Sequence, residues 1–159
     1  ADTDAADLAR GVMDRMTEYA GSRNVDLVLE VEAPQTLCCM DENRVGQVVA
    51  NLLHNAIKFS PNGGRVQMTL REAAGGLELA VSDEGPGLKP EDMPRVFDKY
   101  AQLANQPRVA EKSSGLGLAI CKELIQLHDG EIGVRANEPQ GSTFWFRLPT
   151  EPDSRRQKG

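Results

Sequence analysis

No apolar run in this 159-residue chain approaches the roughly 20 residues that a membrane-spanning helix needs. Residues 1–10 are acidic and polar, which is not the pattern of a signal peptide. A basic excess is also missing: 18 Lys and Arg stand against 24 Asp and Glu, for a formal net charge of −6. That balance argues against a general nucleic-acid binder, which needs a basic patch, and against docking on anionic lipid. Cysteine is scarce. Cys38, Cys39 and Cys121 form an odd set without regular spacing, so they are not a disulfide framework. Cys38 and Cys39 are neighbours in a strand-like stretch and should face opposite ways, and no second Cys or His pair stands at zinc-site spacing. A reducing cytoplasmic compartment is the expectation.

What is present suits one globular domain, with 40% hydrophobic residues. Leu8, Val12, Met13, Met16, Tyr19 and Ala20 recur at helical spacing. Residues 25–31 read as a strand, and 36–40 as a short second one. Asp41 is placed to cap a helix that runs to about Phe59, where Ser60-Pro61-Asn62-Gly63-Gly64 breaks it. Val66, Met68 and Leu70 alternate, as do Leu77, Leu79 and Val81, with Gly75-Gly76 as the turn between them. Residues 85–114 lose periodicity, and a loop of that length is usually functional, often a lid. Leu116, Ile120, Leu124 and Leu127 mark a helix. Ile132 and Val134 begin a strand, and Phe144, Phe146 and Leu148 alternate in the last one. Residues 150–159 read as a disordered, charged tail after a domain of residues 1–149. Mixed helices and strands predict a two-layer α/β sandwich, a mixed sheet with helices on one face.

Four clusters carry chemistry. On the helix after Asp41, Val45, Val48, Val49, Leu52, Leu53, Ala56 and Ile57 form the apolar face. Gln47, Asn51, His54, Asn55 and Lys58 fall on the other side. A solvated face is the usual meaning of such a stripe. Yet Asn is a poor helix former, and two occur four residues apart in mid-helix. An amide oxygen beside an ammonium suits magnesium and a polyphosphate. In the second cluster, Asp83-Glu84-Gly85-Pro86-Gly87-Leu88, Asp83 continues the buried alternation and needs a donor. It is either a turn residue bonding its own backbone or an acceptor for the exocyclic amine of adenine, with Gly85 and Gly87 admitting a flat base. In the third, Lys112-Ser113-Ser114-Gly115-Leu116-Gly117-Leu118 opens a helix, which makes it a phosphate site or a plain hinge. The fourth, Gly141-Ser142-Thr143-Phe144, starts a strand.

In order and separation these clusters resemble the sequence boxes of sensor histidine kinases. The stretch from Asn51 through His54, Asn55, Lys58 and Phe59 to Ser60 resembles their N box. Asp83-Glu84-Gly85-Pro86-Gly87-Leu88 resembles the first glycine box, and Val96-Phe97-Asp98-Lys99-Tyr100 the F box. Gly115-Leu116-Gly117-Leu118-Ala119-Ile120 resembles the second glycine box, and Gly141-Ser142-Thr143-Phe144 the last glycine motif. The resemblance runs from the first helix to about Leu148. It implies the Bergerat-type α/β sandwich with a mobile ATP lid, shared with gyrase, the heat-shock chaperone ATPase and MutL.

By that resemblance Asn55 coordinates Mg2+, and Asn51 and Lys58 help bind the phosphates of ATP. Phe59 packs near the adenine and Asp83 takes its amine, with Gly85 and Gly87 shaping the wall. Lys112, Ser114, Gly115, Leu116, Gly117 and Leu118 line the phosphates and hinge the lid, Thr143 lies near the adenine, and Phe97 couples the lid to a partner domain. Asn55 and Lys58 are the catalytic candidates. Where many relatives carry a basic residue after the F box, Gln102 stands here, which puts one γ-phosphate contact in doubt. Neither His54 nor His128 sits in a phosphoacceptor motif. The implied partners are therefore a separate helical dimerisation and phosphoacceptor domain and a downstream response regulator, with this fragment monomeric. An ATPase or a nucleotide-binding switch that transfers no phosphate is the alternative. The gyrase and chaperone enzymes place a water-activating Glu four residues before the metal-binding Asn, where this chain has Asn51.

Overall fold

The computed structural model describes residues 2–73, 75–98 and 117–150. Its elements in chain order are β1 (Asp2–Asp4), α1 (Ala5–Ser22), β2 (Asp26–Val31), β3 (Leu37–Cys39), α2 (Glu42–Phe59), β4 (Arg65–Ala73) and β5 (Gly76–Ser82). A 3-10 turn (Met93–Arg95), α3 (Gly117–Leu127), β6 (Glu131–Ala136) and β7 (Ser142–Pro149) complete the set.

Both long helices begin at an aspartate. Asp4 accepts from the backbone N–H groups of Ala6 and Asp7, and Asp41 accepts from that of Arg44. Each bond satisfies a donor that the first helical turn leaves without a partner. α2 then buries Val45, Val48, Val49, Leu52, Leu53, Ala56 and Ile57. Leu52, Leu53 and Ile57 are fully buried, and each contributes about 1.5–3 kcal/mol relative to exposure. That burial fixes the helix about its axis, so Asn51, Asn55 and Lys58 must leave from the remaining side.

Five strands form one mixed sheet in the order β2-β4-β5-β7-β6. β2 runs parallel to β4, and the other neighbours are antiparallel. Val66, Met68 and Leu70 of β4, Leu77, Leu79 and Val81 of β5, and Phe144, Phe146 and Leu148 of β7 join the helices in one core. The intervening residues, among them Thr69, Arg71, Glu78, Thr143, Trp145 and Arg147, occupy the other face. This is the two-layer mixed sandwich expected from the alternation.

Two features depart from the sequence reading. β1 has no apolar residue, yet it pairs antiparallel with β3 in a separate two-stranded ladder. Thr36 Oγ1 donates to Asp4 Oδ1 at 2.6 Å and closes that corner. The stretch expected to be a lid begins as packed chain. Val96 is buried, and Phe97 meets Phe144 edge-on, with ring centroids 6.2 Å apart and planes at 83°. The rest of the expected lid lies outside the described residues, as does the expected tail beyond Thr150. No described helix is long and apolar enough to cross a membrane.

Candidate functional site

Asp83 follows β5 directly and is 5% exposed. Its Oδ1 accepts the backbone N–H of Gly85 at 2.9 Å and that of Ser142 at 3.3 Å. Both readings of Asp83 from the sequence are therefore compatible: one oxygen organises the turn, and Oδ2 is the oxygen left for a ligand amine. Among the described residues no cation balances the carboxylate. Burial pushes it up to about 6, against the pull of the two N–H groups, and neighbouring Glu84 adds to the rise.

The glycines of this turn are required by backbone contact. A Cβ on Gly85 would stand 2.5 Å from the carbonyl oxygen of Phe59, so this glycine lets the end of α2 close on the Asp83 turn. Gly141, at φ +102°, lies directly against the Asp83 carbonyl. These contacts bring the C-terminus of α2, the end of β5 and the β6–β7 turn to one place.

From α2, Lys58 is buried, and its Nζ lies 5.7 Å from the centroid of the Phe59 ring. The Phe59 ring is half-buried and is not part of the main core cluster. Arg23, the cap residue just after α1, donates to the Lys58 carbonyl at 2.9 Å, tying the end of the first helix to this end of α2. Asn55 is half-buried on the same side. Asn51 also leaves from that side, but its Nδ2 donates to Cys121 Sγ of α3 at 3.7 Å. Among the described residues no group of three His, Cys, Asp or Glu side chains could hold a metal by itself. A single amide oxygen beside a lysine fits a cation that takes its remaining ligands from phosphate and water.

The other expected site residues divide. Lys112, Ser114, Gly115 and Leu116 lie outside the described residues. Gly117 begins α3, and a Cβ there would meet nothing within 4 Å, so packing with the described residues does not require glycine. Leu118, expected at the phosphates, is half-buried against the hydrophobic core. Thr143, expected near adenine, turns to the opposite face of the sheet. Its hydroxyl lies 2.6 Å from Asn137 Oδ1 and 3.0 Å from Ser82 Oγ. The reason is strand parity: Ser142, not Thr143, shares the face of Phe144, and Ser142 is the residue whose N–H meets Asp83. Asn137 was not singled out from the sequence, and Ser142 was named only as part of the last glycine motif, without a role. The even spacing of Ser142, Phe144 and Phe146 was the available signal for one. For Asn137 there was only an Asn before Glu138-Pro139.

A mixed sheet covered by helices on one face, with a buried carboxylate at the end of its central strand and an amide-and-lysine helix end beside it, has the form of an ATP-binding α/β sandwich. The chain belongs to the histidine kinase-, DNA gyrase B- and HSP90-like ATPase family, whose model matches residues 40–152. Among relatives, the sensor-like histidine kinase SenX3 of Mycobacterium tuberculosis is 39% identical over 127 residues, 79% of this chain and 31% of that protein. Among solved structures, the mycobacterial sensor histidine kinase MprB superposes with a TM-score of 0.84 at 30% identity, covering 96% of this chain and 99% of that one. Full-length ShkA in complex with AMPPNP gives 0.82 at 31% identity, covering 94% and 30%. The chain spans 24–36% of the length of the first curated relatives it matches.

Proposed function

We propose that this chain binds Mg2+-ATP and presents the γ-phosphate to a histidine on a separate helical dimerisation and phosphoacceptor domain, from which a response regulator takes it. The observation that carries the reading is Asp83: a buried carboxylate that, among the described residues, is matched by backbone N–H groups rather than a cation, which suits the exocyclic amine of adenine. A neutral imidazole is already a nucleophile, so the domain's work is positioning and charge neutralisation. Asp83 fixes the base, with Phe59 and Ser142 beside it. Lys58 and Asn51 lie toward the phosphates, and Lys112, Ser114, Gly115, Leu116 and Gly117 are assigned there by the family resemblance. Asn55 would hold the magnesium, which neutralises phosphate charge when bound. The cytoplasm supplies both ATP and the regulator, and the fragment acts as a monomer without membrane contact of its own.

The geometry at Asn51 favours transfer over hydrolysis. The gyrase-type enzymes need a base four residues before the metal-binding Asn, and Asn51 offers an amide engaged with Cys121. Radiolabel transfer from γ-labelled ATP to a supplied acceptor domain tests the proposal, with an acid-labile product expected. Release of free phosphate without transfer would favour the ATPase alternative. Asn55→Ala should lose most of the magnesium dependence of ATP binding seen by calorimetry. Equal dependence in both proteins would remove Asn55 from the metal.

A further inference from the structure

The carboxylate of Asp83 faces the proposed nucleotide pocket, and a closed set of polar side chains stands behind it on the other face of the sheet. Asn137, in the turn between β6 and β7, donates through Nδ2 to Ser82 Oγ at 2.8 Å and to the Asp83 backbone carbonyl at 3.1 Å. Its Oδ1 lies 2.6 Å from Thr143 Oγ1, and Thr143 Oγ1 lies 3.0 Å from Ser82 Oγ. The donors and acceptors fit only one circuit. The Asn137 amide gives one proton to Ser82, the Ser82 hydroxyl gives its proton to Thr143, and the Thr143 hydroxyl returns one to Asn137 Oδ1. The second amide proton goes to Asp83. Reversing the amide would set Oδ1 against the Asp83 carbonyl, two acceptors face to face. The main chain of Asn137 joins the same assembly, donating to Gly141 O at 3.0 Å.

Both backbone groups of Asp83 are thereby held. Its N–H donates to Ser142 O at 2.9 Å, and its carbonyl accepts from Asn137. Three segments meet in the circuit: the end of β5, the start of β7 and the β6–β7 turn. Each bond in such a ring polarises the next, so the ring acts as a unit. A carboxylate in a turn would otherwise be free to drift by tenths of an ångström, enough to degrade the angle of its bond to a ligand amine.

We infer that Asn137 is a positioning residue for nucleobase recognition: through the Ser82–Thr143 circuit it holds Asp83 where the carboxylate selects an amine-bearing purine. The inference rests on the nucleotide-site reading above and deepens it. Discrimination between ATP and GTP is the property that a merely structural role would not move. GTP presents a carbonyl where ATP presents the amine, so only the ATP complex uses the placement of Asp83.

The test measures dissociation constants for ATP and GTP with the 159-residue chain and its Asn137→Ala, Thr143→Val and Thr143→Ser variants, with folding checked by circular dichroism. Asn137→Ala should lower the ratio of GTP to ATP dissociation constants about tenfold, the size of one lost hydrogen bond. Thr143→Val keeps the side-chain shape, opens the ring and should lower the ratio several-fold. Thr143→Ser closes the ring again and should restore it. If Asn137→Ala fails to fold, the Val and Ser pair decides. A ratio unchanged in every folded variant overturns the inference, even if both nucleotides bind more weakly. A wild-type chain that binds no ATP removes the nucleotide-site reading itself, a separate result.

Discussion

Strand β5 and its end carry two buried carboxylates five residues apart, and their surroundings could hardly differ more. Glu78 is fully buried on the sheet face away from the helices. Arg71 Nε reaches it at 2.9 Å, Arg147 Nε at 3.0 Å and Arg135 Nη2 at 3.7 Å. Cross-strand register makes this possible, since Arg71 and Arg147 stand directly opposite Glu78 on its two neighbouring strands. Arg147 also lies over the Trp145 ring, 4.4 Å from its centroid. Burial alone would raise the Glu78 pKa. The bonds from Arg71 and Arg147 and the charges of Arg71 and Arg135 outweigh it and hold the carboxyl below its ordinary value. Asp83 is buried to a similar degree but among the described residues meets only N–H groups, and its pKa rises to about 6. A charge-matched carboxylate joins strands. One without a cation is a cost to the fold, and under the proposed function a bound donor would recover it.

The sharpest break in this comparison is Asp83→Ala. A hydrogen bond to a charged group contributes about 1.5–3 kcal/mol, or roughly ten- to a hundredfold in affinity. ATP binding should fall by that factor in calorimetry while GTP binding barely changes. Equal losses for both nucleotides would make Asp83 a structural residue like Glu78.

Next in size is Glu78→Gln, which should cost about 1–3 kcal/mol in urea unfolding. That range lies below the figure for a fully buried pair because the arginines are 40–48% exposed and can turn to water. ATP affinity should stay within about twofold, far less than one hydrogen bond. The depressed pKa sets the sign with pH. The stability from Glu78 is fully present above the ordinary value of 4.5 and is lost as pH falls through the folded value. The variant should lack that acid-side loss. A variant as stable as wild type at pH 7 would show that the three arginines do not need the charge.

The smallest effect, opposite in sign, belongs to Asp83→Asn. A raised pKa means that the contribution of Asp83 is fully present below its ordinary 3.8 and is lost as pH rises through about 6. Between pH 5 and 7 the nucleotide-free wild type should therefore lose about 1 kcal/mol relative to the variant, which does not titrate. Thermal melts across that range measure it. A constant difference would mean that Asp83 titrates near the ordinary aspartate value.

Much of this was legible in the chain. The apolar stripe from Val45 to Ile57 is periodic within one helix, and its polar remainder identified the face that carries Asn51, Asn55 and Lys58. The alternations in β4, β5 and β7 are equally local, and together with the helices they sufficed for a mixed two-layer sandwich. Carried one step past Val81, the β5 pattern also marked Asp83 as buried. Where a motif was read without its parity, the result was poorer: Thr143 was assigned to the pocket although Ser142 shares the face of Phe144. Leu118, assigned to phosphate, has its side chain half-buried against the core.

The sequence by itself determined which residues each helix and strand would turn inward and the order of the boxes along the chain, because both depend on spacing within a few residues. The tertiary structure alone decided what lies across from what. Nothing near Asp2–Asp4 announces its pairing with β3, and nothing in β2 shows that it runs parallel to β4. Two carboxylates five residues apart gave no local sign that one would meet arginines from three strands and the other two backbone N–H groups. Nor did Asn137 show that it would close a circuit with Ser82 and Thr143. Such partners come from distant segments brought into register by the packing of the whole core, and each must be satisfied because a buried polar group without a partner is costly.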